Sequence, residues 1–226
     1  MKKWKLLTAV AAITLALTAC NTGDDSATGG SSDTKQTEEK GSTENSNFPM
    51  KVSSLTESRE DEESGKKTTF EDVTLDKMPE RIVTLDYGFL DTLDALGVEG
   101  IVGVAAGGGK GNMPKHLKEK YVGDGVADVG TLKQIDFEAV AAAEPDVIFI
   151  SGRQTPFYEQ LKEITPNVIF IGSDNNNYVE GVFETVDLAA EIFDKKEKGE
   201  ELKASLQEKV DAIKEKAAGY ENALVA

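Results

Sequence analysis

The chain is 226 residues long and carries 41 acidic against 25 basic side chains, a formal charge of −16, with one histidine and one cysteine. That acidity argues against nucleic acid as a partner, because phosphate backbones select basic patches. The single histidine, His116, excludes a multi-histidine metal centre, and the single cysteine, Cys20, excludes an internal disulfide.

In chain order, Lys2, Lys3 and Lys5 form a positive region ahead of an apolar stretch, 6–17, that is short for a transmembrane helix. The stretch closes in Leu17-Thr18-Ala19-Cys20, which resembles the lipobox of bacterial lipoprotein signal peptides. Cleavage after residue 19 and lipid on Cys20 follow from that resemblance; an ordinary secretory signal beside an incidental cysteine is the alternative. Residues 21–47 hold no large apolar side chain and read as a flexible acidic tether. The charged run "LTESREDEESGKK" (55–67) lies between two β-like pieces, 48–54 and 68–75, and is either a long hairpin loop or more linker.

From residue 68 to about 194 the pattern alternates strand and helix. "RIVTL" (81–85) is a β-rich run, and 89–96 follows as a helical face with Phe89, Leu90, Leu93 and Leu96, stopped by Gly97. Residues 100–104 are a second strand. Asp136 caps a helix over 136–143 whose Phe137 and Val140 share a face, with Ile135 packing beside them. The run 147–150 is apolar throughout, as a strand covered on both faces would be. Thr155 before Pro156 predicts an N-cap and first helical position, with the helix running to about Ile164. Residues 167–171 are a fourth strand and 178–193 a helix. The fold class is therefore α/β, a parallel-sheet Rossmann-like lobe with helices on both faces. A long helix, 195–219, then carries Leu202, Leu206, Val210, Ile213 and Ala217 as one apolar stripe. Residues 220–226 begin a further apolar run.

Several chemistries fail on spacing. "AAGGGKGN" (105–112) lacks the glycine, lysine and hydroxyl spacing of a phosphate loop, so it reads as a Gly-rich loop, free or lining a ligand cleft. No Gly-x-Ser-x-Gly elbow is present. What remains is positional, because parallel α/β sheets bind ligands outside the carboxyl ends of their strands. Four loops fall on that edge: 86–88, 105–112, 151–155 and 173–178. They hold Tyr87, Arg153, Gln154, Tyr178 and the string Asp174-Asn175-Asn176-Asn177. Arg153 offers a two-pronged donor to carboxylate or catecholate oxygens, and its alternative is a local ion pair. Tyr87 and Tyr178 stand between structural and ligand-facing roles.

"ERIVTLDYGFLDTLDALGV", "ADVGTLKQIDFEAVAAAEPDVIFISGRQ" and the long charged helix resemble class III periplasmic-type binding proteins, the solute receptors of ATP-driven importers for ferric siderophores, haem and cobalamin. "SGRQ" with "LDYGFLD" resembles most the Gram-positive lipoprotein receptors for siderophores of the petrobactin type. The resemblance implies a non-enzymatic receptor, anchored on the outer face of the cell membrane, that captures a ferric siderophore and passes it to an importer permease. Iron would be held by the siderophore, with no metal bound by protein atoms and no cofactor. Arg153 would face the anionic complex, with Tyr87, Gln154 and Tyr178 lining the cleft, and Glu138 would dock on the permease. The same resemblance implies a second lobe after the long helix, of which 220–226 is only the start. Haem or cobalamin is the alternative ligand; a Rossmann-like enzyme or an adhesive surface lipoprotein is the alternative class.

Overall fold

The computed structural model describes residues 47–61, 65–108, 111–123, 125–172 and 177–219. The signal and lipobox with Cys20, the tether to residue 46, the string Asp174-Asn175-Asn176 and the run 220–226 lie outside the described residues.

Two antiparallel pairs open the described chain. β1 (Met50–Val52) pairs with β4 (Val73–Leu75), and between them β2 (Ser58–Glu60) pairs with β3 (Lys67–Thr69). The charged run is thus a loop that carries a hairpin of its own. In β4 the buried Val73 and Leu75 flank exposed Thr74, the period-2 alternation of a strand with one covered face. Phe70 fixes the inner hairpin to the lobe: its ring stacks on Phe170 at 4.2 Å and meets Tyr158 edge-on at 5.1 Å. Beside it the Leu55 amide donates to the Phe170 carbonyl at 3.0 Å, and the Phe170 amide donates to the Ser54 hydroxyl at 3.0 Å.

The main sheet has five parallel strands: β5 (Ile82–Thr84), β6 (Ile101–Val104), β7 (Ala127–Asp128), β8 (Val147–Ile150) and β9 (Val168–Phe170). Their spatial order is β7-β6-β5-β8-β9. Alternate side chains feed two cores. Ile82, Val147, Phe149 and Ile169 join one, with Phe89, Leu93 and Ile192; Val83, Ile148, Ile150 and Phe170 join the other, with Val140, Tyr158 and Leu161. This alternation explains why the sequence of β8 shows no polar position.

α1 (Tyr87–Leu96) begins at Asp86, whose carboxylate accepts from the Phe89 amide at 2.9 Å. It ends at Gly97 in the left-handed conformation, φ 68°, which a glycine adopts without Cβ strain. α3 (Phe137–Ala142) starts as expected from Asp136, which accepts from the Ala139 amide. α2 (Lys115–Tyr121) and β7 are elements that the sequence pattern did not predict. α5 (Tyr178–Ile192) and α6 (Lys196–Ala217) follow the expected spans closely. They approach so tightly at Gly199 that a Cβ there would sit 2.8 Å from that of Ala190.

One expectation needs correction. The helix after β8 does not start at Thr155. A 3₁₀ segment, Gly152–Phe157, comes first and is capped by Ser151, and α4 (Tyr158–Lys162) continues it. Ser151 and Gln154 form a reciprocal capping box, which begins the helix four residues early. The Thr155 hydroxyl is buried without a hydrogen-bond partner among the described residues. On α6 the apolar stripe packs only at its start: Leu202 joins the core, whereas Ile213 is 66% exposed.

Candidate functional site

The strand order reverses between β5 and β8, so the connections leaving their carboxyl ends diverge and leave a crevice. A groove of about 660 Å³ occupies it. Its floor is Asp86 and Gly88 after β5, and Ser151, Gly152 and Arg153 after β8. Residues of α1 and of the first half of α5 line it as well, together with Leu202 and Leu206 of α6 and Arg59 of β2.

Arg153 is exposed on the groove and makes no ion pair or hydrogen bond among the described residues. The local ion pair considered for it is therefore not formed there. Tyr178, at the start of α5, lines the same groove and is 70% exposed. These two expected residues come together.

Gln154 and Tyr87 do not join them. Gln154 is 0% exposed. Its amide oxygen accepts from the Ser151 amide at 3.1 Å and its amide nitrogen donates to the Leu132 carbonyl. Both ends are engaged inside the protein, so its place is beneath the Arg153 turn rather than on the cleft. Tyr87 is half-buried and donates its hydroxyl to the Ala105 carbonyl at 2.7 Å, tying the loops after β5 and β6 together. Burial pushes that hydroxyl above its ordinary pKa; the Asp128 charge adds to the rise and Arg153 opposes it.

The glycine loop after β6 is anchored from within. Asp128 accepts the Ala106, Gly107 and Gly130 amides on Oδ1 at 3.1, 3.0 and 3.1 Å, and the Gly108 amide on Oδ2. Among the described residues, the backbone donors of 106–108 that a phosphate would seek are already held by a carboxylate.

Arg59 was not among the residues expected from sequence. It sits in the run "SRED", where the surrounding acids suggest a solvated loop, and only the docking of the hairpin by Phe70 brings it to the groove. The Thr-Thr-Phe of 68–70 was the available signal of a strand that buries its end. Glu138, in the first turn of α3, is exposed and unpaired among the described residues.

A family model described as "Periplasmic binding protein" matches residues 82–225. The chain is 39% identical over 141 residues to the petrobactin-binding protein YclQ of Bacillus subtilis (strain 168), which covers 62% of this chain and 43% of that protein. The crystal structure of YclQ superposes with a TM-score of 0.61 at 31% identity, over 75% of this chain and 54% of that one. The iron uptake ABC transporter substrate-binding protein PiuA of Streptococcus pneumoniae superposes with a TM-score of 0.62 at 29% identity, over 76% and 54%. The chain thus spans about half the length of the relatives it matches. A five-stranded parallel sheet opening on its switch-point groove, inside a match that takes in well over half of the sequence, has one assignment: the chain belongs to the periplasmic binding protein family.

Proposed function

We propose that this chain serves an extracytoplasmic receptor that captures an anionic ferric siderophore and delivers it to the permease of an ATP-driven importer. The observation that carries the reading is Arg153, an unpaired guanidinium on the groove at the sheet's switch point in a chain of charge −16. A charge unpaired among the described residues, and placed where such sheets bind ligands, suits carboxylate or catecholate oxygens, to which guanidinium donates two parallel hydrogen bonds. The relatives support the same reading, one being named for petrobactin and another for iron uptake. Iron is carried by the siderophore's own oxygens; the receptor needs no cofactor and performs no chemistry. Tyr178 adds an aromatic wall, while Gln154 and Tyr87 act by holding the edge loops. Glu138 is the acid offered to the permease, and lipid on Cys20 is the anchor.

Equilibrium dialysis of the full chain against ferric petrobactin tests the reading. The unaltered chain retains the complex, and Arg153→Ala weakens retention by about 10-fold or more, the equivalent of one lost charge-assisted contact. Absence of retention by the unaltered chain refutes capture. Equal retention by Arg153→Ala removes Arg153 from the site.

A further inference from the structure

Arg153 is not the groove's only arginine. Arg59 reaches it from β2, part of a hairpin that precedes the family match at residue 82. Its guanidinium lies directly on the Gly152 backbone: a Cβ built at Gly152 would stand 3.0 Å from Cζ and 3.2 Å from each terminal nitrogen. Gly152 does not have the positive φ that calls for a glycine, so what its missing side chain provides is room. The neighbouring residue in sequence is Arg153. Neither guanidinium has an ion pair among the described residues. Among the described residues the groove's acids are otherwise engaged, Asp86 with the Phe89 amide and Asp91 with His116 Nε2 at 2.8 Å.

Holding two like charges beside one glycine is unfavourable unless something of opposite sign comes between them. The hairpin that delivers Arg59 is not loose: Phe70 is buried in the core, and Arg59 is paired in register with Thr68, itself buried. We infer that Arg59 is a second anion-contacting residue of this groove and that Gly152 is the seat that lets it reach the ligand held by Arg153. The inference rests on the capture reading and deepens it. The ligand presents at least two separated anionic oxygens, one to each arginine, and the hairpin is the element that sets this preference.

The test uses the full chain, ferric petrobactin and dialysis at low and high salt. Arg59→Ala weakens retention about 10-fold at low salt, and the deficit shrinks at high salt as screening weakens the lost attraction. Arg59→Lys, which keeps charge but loses the fork, recovers part of it. Gly152→Ala also weakens retention, because the new methyl displaces the flexible end of Arg59 at little cost to the fold. In the double variant, Gly152→Ala adds nothing to Arg59→Ala, as two changes acting through one contact must. Additive losses in the double variant, or retention unchanged by Arg59→Ala with an unaltered thermal midpoint, overturn the inference and leave capture standing. No retention by the unaltered chain overturns both.

Discussion

Replacing Gln154 with leucine separates a ligand contact from a structural role. The side chain is fully buried and its two amide ends join Ser151 to Leu132, so leucine fills nearly the same volume and satisfies neither partner. The Ser151 amide, at the buried end of β8, is left without an acceptor, and a buried unpaired group costs about 1–3 kcal/mol. The Leu132 carbonyl is half-buried, so water recovers part of its loss. The added apolar carbon offsets a little more, and the net destabilisation is about 2–4 kcal/mol. With a urea slope of about 2 kcal/mol per molar, the unfolding midpoint falls by about 1–2 M. Urea titration followed by far-ultraviolet circular dichroism reads this directly. A midpoint within about 0.3 M of the parent, together with weakened siderophore retention, would refute the assignment and return Gln154 to the cleft.

Phe70→Ala removes a buried ring that contacts both Phe170 and Tyr158, and we expect a loss of about 3–5 kcal/mol in urea, with faster proteolysis of the 58–69 hairpin. Thr155→Val replaces a buried hydroxyl that has no partner among the described residues, so it should be neutral or stabilising by up to about 1 kcal/mol; a clear destabilisation would reveal a hidden acceptor. Burial, and then a hydrogen bond to Asp94, push the Tyr121 hydroxyl up to about 12. Because that folded value lies above the unfolded 10.0, its contribution is full below pH 10 and is lost as pH rises towards 12. Ultraviolet titration should show Tyr121 ionising late, and Asp94→Asn should bring it earlier.

What was legible in the sequence was what local chemistry decides. The apolar run of β8, the cap at Asp136 and the stop at Gly97 each depend on neighbours a few residues away, and each appears where expected. Thr155 shows how one local signal yields to another. Thr-Pro is a sound helix start, but Ser151 and Gln154 complete a capping box earlier in the chain, and the earlier cap captures the turn. The order S-x-x-Q was readable and carried the answer. The strand-end rule placed Arg153 and Tyr178 on the groove, but it fixes an edge and not a direction. It could not separate them from Gln154, one residue along, which points inward. β7 is two residues long and α2 follows Pro114, so neither has enough periodicity to register. Arg59 was illegible for a different reason. Its position depends on Phe70 meeting Phe170, a contact across about a hundred residues that no local window contains.

The carboxylate of Asp128 in its ring of amides has a bearing on what the glycine loop refuses. A tethered anion competes at a far higher effective concentration than a free one, since its approach costs no translational freedom. Inorganic phosphate or a nucleotide arriving from solution would have to evict Asp128 from four donors at once. The glycine loop therefore behaves as a lock whose key is already turned and left inside. Among the described residues, a small oxyanion finds the amides of 106–108 and Gly130 already taken.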